Sequence, residues 1–380
     1  MSHVAMLIPT LDRIGGAERQ VMLLARGLRS RGWRVSLVAL AGNGGDSASA
    51  LRAIGVGFTT LEMRKGLADP RGWLRLRGWL RRGKPDILHA HLPHAAWMAR
   101  WSRLGAPVRV IVDTIHTSST GTAGRRLGYR WSRWLPDAVT AVGEGVREAW
   151  VDARMVDPDR CIVVPNGVDL EVWRPDKRMR AEMRTSMGLG DEFLWFAAGR
   201  LEAVKDYATM LRAFAHASGT QLVIAGAGPL EAELRQLARE LGIDNRVRFL
   251  GFVPDVRPWM QAADGFLLTS LWEGLPIGLM EAAACGLAAV ATDVSGVREV
   301  VVDDETGWLA SVGDAYAVAG RMNAVMALSQ EHREAMGARA RDHIVASFSL
   351  DAVLDHWEQF YRELLEANPE PRRWGAAGWS

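Results

Sequence analysis

Short apolar runs rich in β-branched residues alternate with longer stretches of helical period along this chain, and the alternation starts twice. HVAMLIP, VSLVAL, DILHA, VRVIVDT, DAVTAV and CIVVPN come before residue 170, and LWFAAG, QLVIAG, RVRFLG, GFLLTS and LAAVAT come after residue 190. Amphipathic stretches such as 17–31, 229–241 and 281–286 lie between them. Strict alternation of this kind folds as a parallel sheet with crossover helices, because parallel neighbours cannot be joined by a tight turn. A loop rich in Pro, Arg and Asp precedes the restart near Phe193. The expected fold is therefore α/β, with two doubly wound parallel-sheet, Rossmann-like domains at 1–177 and 178–349. A length of 380 residues is enough for two such cores. The last helical stretch, Leu350–Ala367, is followed by a Pro- and Gly-rich tail, 369–380, expected to be disordered.

Composition excludes several classes. With 48% hydrophobic and 24% charged residues the chain is a folding one, and no run approaches the ~20 apolar residues of a membrane span. No secretion signal is read at the N-terminus. The two cysteines, Cys161 and Cys285, build neither a disulfide framework nor a cysteine metal cluster, so a cytoplasmic location is expected. The net charge of +2 hides an asymmetry: residues 1–180 carry 29 basic and 16 acidic side chains, the remainder 17 and 28. Lysine occurs only at 65, 84, 177 and 205, so the acidic half holds a single one, Lys205.

Sheets of this type bind ligands at the carboxyl ends of their strands. After the first strand, Gly15 and Gly16 precede a helix, where backbone amides and the helix dipole favour an anion. In the second half, Gly199-Arg200 ends the strand LWFAAG and Lys205 follows. A planar guanidinium and a mobile ammonium brought together at a strand end suit a diphosphate. The run VIAGAGP places Gly226 and Gly228 in a turn resembling half of a dinucleotide fingerprint, but Glu231 stands at the third glycine position, which argues against a nicotinamide cofactor. The richest segment is SLWEGLPIGLMEAAACG. In it Gly274, Leu275, Pro276 and Ile277 would present amides at a helix N-terminus, while Glu273 and Glu281 offer carboxylates for sugar hydroxyls.

His116 ends the strand VRVIVDTIH, placed to meet a substrate hydroxyl, and His89, His91 and His94 cluster after DIL. The 89/91 spacing puts two side chains on one face of a strand, no carboxylate accompanies them at metal-site spacing, and no metal ligand set is assigned. Asp157-Pro158-Asp159 reads as a turn.

Together these pieces resemble the retaining family 4 glycosyltransferases of the GT-B fold, of the bacterial glycan-assembly type. The matching strings, in family order, are GGAER (15–19), HAH (89–91), the His116 strand end, VPNGVD (164–169), GRLEAVK (199–205), AGAGP (225–229), LGFV (250–253) and EGLPIGLMEA (273–282). The resemblance implies transfer of a sugar from a nucleoside diphosphate, UDP favoured and GDP the alternative, with retained anomeric configuration. It also implies two domains facing across a cleft, with a final helix at about 350–368 crossing back to an acceptor-binding N-terminal domain. By position, Arg200 and Lys205 would neutralise the leaving diphosphate, Gly16 would touch it, and Glu281 would bind the ribose. Glu273 and the amides beyond Gly274 would hold the donor sugar, the backbone near Phe252 and Val253 would meet the base, and His116 would contact the sugar near the anomeric centre. Leu275-Pro276 departs from the phenylalanine-glycine pair of many members, which leaves the sugar's identity open.

No metal or other cofactor is expected, since cationic side chains and helix amides can take up the charge of the leaving diphosphate. Two readings from other classes compete: a nucleic-acid-binding protein using the basic, tryptophan-rich first half, and a catalytically inactive nucleotide-sugar-binding partner. The intact set Arg200, Lys205, Glu273 and Glu281 argues against both. Finally, residues 71–84 form an amphipathic segment with Trp73, Leu76, Trp79 and Leu80 on one face and Arg75, Arg77, Arg81 and Arg82 on the other. With Arg125, Arg126, Arg130 and Arg133 it is expected to let the first domain adhere to an anionic membrane, at the inner face, beside a glycan or lipid-linked acceptor.

Overall fold

The computed structural model describes residues 1–12, 15–64, 69–106 and 108–371. The described residues form two compact units, one of 1–167 with the stretch from Leu350 on, and one of 168–349. The changeover comes earlier than the expected 177/178. Val168 bridges to Ser349, and the Asp176 amide donates to Gln261 Oε1, so this stretch is tied to the second unit. The tail beyond 371 lies outside the described residues.

In the first unit, strands β1 (His3–Ile8), β2 (Arg34–Ala39), β3 (Gly57–Thr60), β4 (Ile87–His91), β5 (Val110–Ile115), β6 (Ala138–Ala141) and β7 (Cys161–Val163) form one sheet in the order 3-2-1-4-5-6-7, every pairing parallel. Strand β1 is buried along its whole length, as a parallel strand covered on both faces must be. Val4, Met6 and Ile8 face a core completed by Val21, Leu24 and Leu28 of helix Gly16–Ser30 and by Leu354, Trp357 and Tyr361 of helix Leu350–Ala367. The two helices cross closely, since a Cβ on Gly27 would lie 2.5 Å from Leu354 Cδ1. Arg31 sits among Asp351, Asp355 and Glu358, and the Trp33 indole donates to Glu358 at 2.6 Å. The final helix thus belongs to the first unit, within the bounds read from its apolar set.

The second unit contains β8 (Phe193–Ala198), β9 (Thr220–Ala225), β10 (Val247–Gly251), β11 (Gly265–Leu268), β12 (Ala288–Thr292) and β13 (Gly307–Ala310), in the order 10-9-8-11-12-13, again parallel. Both sheets reverse direction of winding beside their first strand, between β1 and β4 in one and between β8 and β11 in the other. At such a point the loops leave in opposite directions and open a crevice over the strand ends. Every candidate residue read from the sequence follows or ends one of these strands.

Candidate active site

In the second unit, the loops after β8, β9 and β10 are joined backbone to backbone. The Gly199 amide donates to the Ala225 carbonyl, Leu201 to Ala227, and Gly226 to Gly251. Gly226 has φ 155°, and a Cβ there would overlap the Gly199 carbonyl oxygen; one on Gly228 would overlap the Leu201 carbonyl. These two glycines therefore serve the close approach of two loops, which sets the floor of the crevice. At the end of β10 the Phe252 ring is 73% exposed, with Val253 partly covered beside it.

Lys205 lies in the 3₁₀ turn Ala203–Lys205, just ahead of helix Tyr207–Ala215, and Glu273 lies in the loop after β11. The switch point brings them together. Lys205 Nζ donates to Glu273 Oε1 at 2.5 Å, and Ser270 Oγ donates to the same oxygen at 2.6 Å. The turn is fixed from below: Thr269 Oγ1 donates to the Asp206 carbonyl at 2.9 Å, the Leu271 amide to the Val204 carbonyl, and Tyr207 Oη to the Gly199 carbonyl at 3.2 Å. Both charged groups are largely covered, so the ammonium and carboxylate are held near each other with little water between them. Arg200 contrasts with this. Its guanidinium is 71% exposed and donates to Glu202 at 2.8 Å, so it is a solvated cation.

Beyond Glu273, Gly274, Leu275 and Pro276 are buried, and Ile277 opens helix Ile277–Ala284, whose second residue, Gly278, lies beside the end of β8, a Cβ there coming 3.7 Å from the Ala198 carbonyl. Glu281 is buried on that helix among Leu279, Met280, Ala282 and Ala283. Gly296, at the start of the short helix after β12, packs against the Gly274 carbonyl, which a Cβ would overlap. Ser270, Tyr207 and Gly296 were missed in the sequence. Ser270 stands three residues before Glu273 and is legible only as a turn hydroxyl, while Gly296 lies in VSGVRE, a strand-to-helix turn like the others.

In the first unit, Gly15 caps helix Gly16–Ser30, and its amide donates to Glu18 Oε2 at 2.9 Å. The helix N-terminus is thus already satisfied in part by a carboxylate of its own first turn, a contact the sequence reading did not anticipate. His89 and His91 share a face of β4 with ring centroids 3.9 Å apart. His89 is held from both sides, by Tyr361 Oη at 2.6 Å and Thr114 Oγ1 at 2.5 Å. His91 Nδ1 meets His116 Nε2 at 3.2 Å. His91 and His116 line a cavity of about 30 Å³, together with Gln20, Thr114, Asn166 and Gly167, which has room for a water molecule. The Gln20 amide pins the VPNG loop, donating to the Gly167 carbonyl and accepting from its amide. His91 Nε2 is buried without a partner among the described residues. Burial pushes the His116 imidazolium down to about 4, and burial with the neighbouring histidines holds His89 and His91 well below the usual range. All three rings are neutral at pH 7, so His116 can meet a hydroxyl as donor or acceptor without introducing charge.

The family model described as "Glycosyltransferase Family 4" matches residues 14–172, and that described as "Glycosyl transferases group 1" matches 179–343. The N-acetyl-alpha-D-glucosaminyl L-malate synthase of Bacillus anthracis is 30% identical over 74% of this chain and 75% of its own. The lipopolysaccharide core biosynthesis glycosyltransferase LpsE of Rhizobium meliloti is 28% identical over 93% of this chain and 97% of its own. The UDP-Gal:alpha-D-GlcNAc-diphosphoundecaprenol alpha-1,3-galactosyltransferase of Escherichia coli is 25% identical over 79% and 81%. Among solved structures, Anabaena HepE in complex with UDP and glucose superposes with a TM-score of 0.83 at 18% identity, covering 95% of this chain and 99% of that one. At that identity the likeness is one of fold.

Proposed function

Since the chain belongs to glycosyltransferase family 4, with the GT-B fold, its reaction is the transfer of a sugar, and we propose that the sugar leaves a nucleoside diphosphate with its anomeric configuration retained and passes to a glycan or lipid-linked acceptor. A UDP-sugar is favoured over a GDP-sugar. The Escherichia coli relative, named for a UDP-galactose donor, supports this choice.

The observation that carries the proposal is the Lys205–Glu273 pair at the switch point, beside loops that Gly226 and Gly228 let pack closely. Cleavage of the glycosidic bond places negative charge on the departing diphosphate. A largely covered ammonium held at the strand ends by Glu273 would stabilise that charge as it develops, with little water to reorganise. Lys205 would exchange its Glu273 partner for a phosphate oxygen when the donor enters. Glu273, freed, would accept from a hydroxyl of the donor sugar. Arg200 would close on the diphosphate, and the amides opening helix Ile277–Ala284 would take its other oxygens. Glu281 would bind the ribose, and the backbone near Phe252 and Val253 would meet the base. Gly16 and His116 are assigned to the phosphate and to the sugar near its anomeric carbon. A front-side attack assisted by the leaving phosphate requires no protein nucleophile and no second carboxylate of the glycosidase kind.

No metal is required in this scheme, because side-chain cations and backbone amides act where other transferases place a divalent ion. Among the described residues no group of three or more His, Cys, Asp or Glu is arranged to hold one. Turnover is expected to survive excess EDTA within about twofold. Complete loss in chelator, restored by a divalent ion, would contradict the metal-free scheme. The acceptor is proposed to be lipid-linked and met at the cytoplasmic membrane face. No helix among the described residues is long and apolar enough to cross a membrane, so attachment would be peripheral.

A further inference from the structure

We infer that the helix Ala123–Ser132 and the turn after it form the surface by which the first unit seats on an anionic lipid bilayer, with Leu127, Trp131 and Trp134 entering the headgroup region. This inference rests on the membrane-facing acceptor proposed above and names the surface that would meet the lipid.

The arginine stripes alone serve this role less well than their sequence implies. On helix Pro70–Gly83, Arg75 donates to the Leu61 carbonyl and contacts Glu62, while Arg77 donates to the Gly105 carbonyl and stacks on Trp73. That face is partly used up by its own unit. The later helix differs. Its inward side is given by Tyr129 and Ser132, both buried, and by Gly128, which packs on Trp97. Its outward side carries Leu127 (56% exposed) and, one turn on, Trp131 (74%), with Trp134 (48%) in the following turn donating its indole N–H to the Trp131 carbonyl.

Large aromatic side chains left in water at helical spacing need an occupant, and the flanks state its charge. Arg125 and Arg130 are exposed beside the stripe and Arg126 is partly so; Arg126 and Arg130 donate to the Gly121 and Ala153 carbonyls, which fixes them without neutralising them. Among the described residues, Arg133 is the one of the four that faces an acid, Asp157, at 3.4 Å. An apolar stripe with two tryptophans, bordered by arginine, fits the interface of an anionic bilayer, where indoles sit at headgroup level and cations meet lipid phosphates. The helix also opens shortly after His116. The six intervening residues leave His116 and Ala123 at most ~25 Å apart, so a bilayer on this face would hold a lipid-linked sugar near the proposed site.

Co-sedimentation with vesicles tests this. Wild-type protein should partition strongly to equimolar phosphatidylcholine and phosphatidylglycerol and weakly to phosphatidylcholine alone. Trp131→Ser, and Leu127→Ser with Trp131→Ser, should lower binding to the mixed vesicles at least ~10-fold. Arg125→Gln should lower it about fivefold in low salt. The rise in thermal midpoint on adding UDP, measured in parallel, should be unchanged in all three. Equal partition to both vesicle types, or wild-type binding by the Leu127/Trp131 variant, would overturn the inference. So would absence of vesicle binding together with a dimer that this variant dissociates, since a second copy would then cover the face. A missing UDP response in the wild type would count against the donor reading and leave the vesicle result to decide the surface.

Discussion

Lys205→Met is expected to lower kcat about 10²-fold or more while the fold stays intact. Methionine keeps most of the side-chain volume, so the 3₁₀ turn and its bonds to Thr269 and Leu271 have no reason to move. What disappears is the one ammonium held at the strand ends, and with it charge stabilisation worth about 3 kcal/mol in the transition state. Glu273 is left facing an apolar side chain in a covered position, which adds a smaller cost in donor binding. Arg200→Met should act in the same direction but more weakly, because its guanidinium is solvated and must be recruited. The check is steady-state turnover of the true donor and acceptor, alongside a thermal midpoint. Wild-type kcat in Lys205→Met would remove the diphosphate from this site.

The second large effect is on stability. Gly226→Ala should destabilise the second unit by about 3 kcal/mol or more, because two costs combine: a left-handed φ of 155° and a Cβ driven into the Gly199 carbonyl. The loops after β8 and β9 would have to separate, breaking the Gly199–Ala225 and Leu201–Ala227 bonds. Gly188→Ala is the control. It also has positive φ, 68°, but nothing lies within 4 Å of the added Cβ, so only the backbone term of about 1 kcal/mol applies. Urea unfolding of the two variants should show that difference; equal losses would mean that the close approach of the two loops contributes little.

Much of this was legible in the sequence because its signals are local. A buried parallel strand is a short run of apolar residues, and VAMLI or LVIA cannot hide. The final helix was readable from the spacing of Trp357, Phe360, Tyr361, Leu364 and Leu365. The edge strands β3 and β13 escaped, since GFTT and GWLA are short and open on glycine. The site was legible wherever a motif names its own chemistry, as in GRLEAVK or EGLPIGLMEA. It was not legible where partners come from afar. Lys205 and Glu273 were read as separate groups, one for phosphate and one for sugar, and only the switch point of the sheet makes them a pair. The same holds for His91, whose contact with His116 depends on the register of β4 against β5. Exposure is the other hidden quantity: only the folded helix shows that Leu127 and Trp131 lie on its open side.

The account stands most directly on what leaves and what is kept. Incubating the protein with UDP- and GDP-sugars and an extract of lipid-linked glycans, then following nucleotide by chromatography and the new anomeric proton by NMR, examines both at once. The expected result is release of nucleoside diphosphate, not monophosphate, matched by a product whose anomeric configuration equals that of the donor. Inverted configuration, or no diphosphate released from any of these donors, would contradict it.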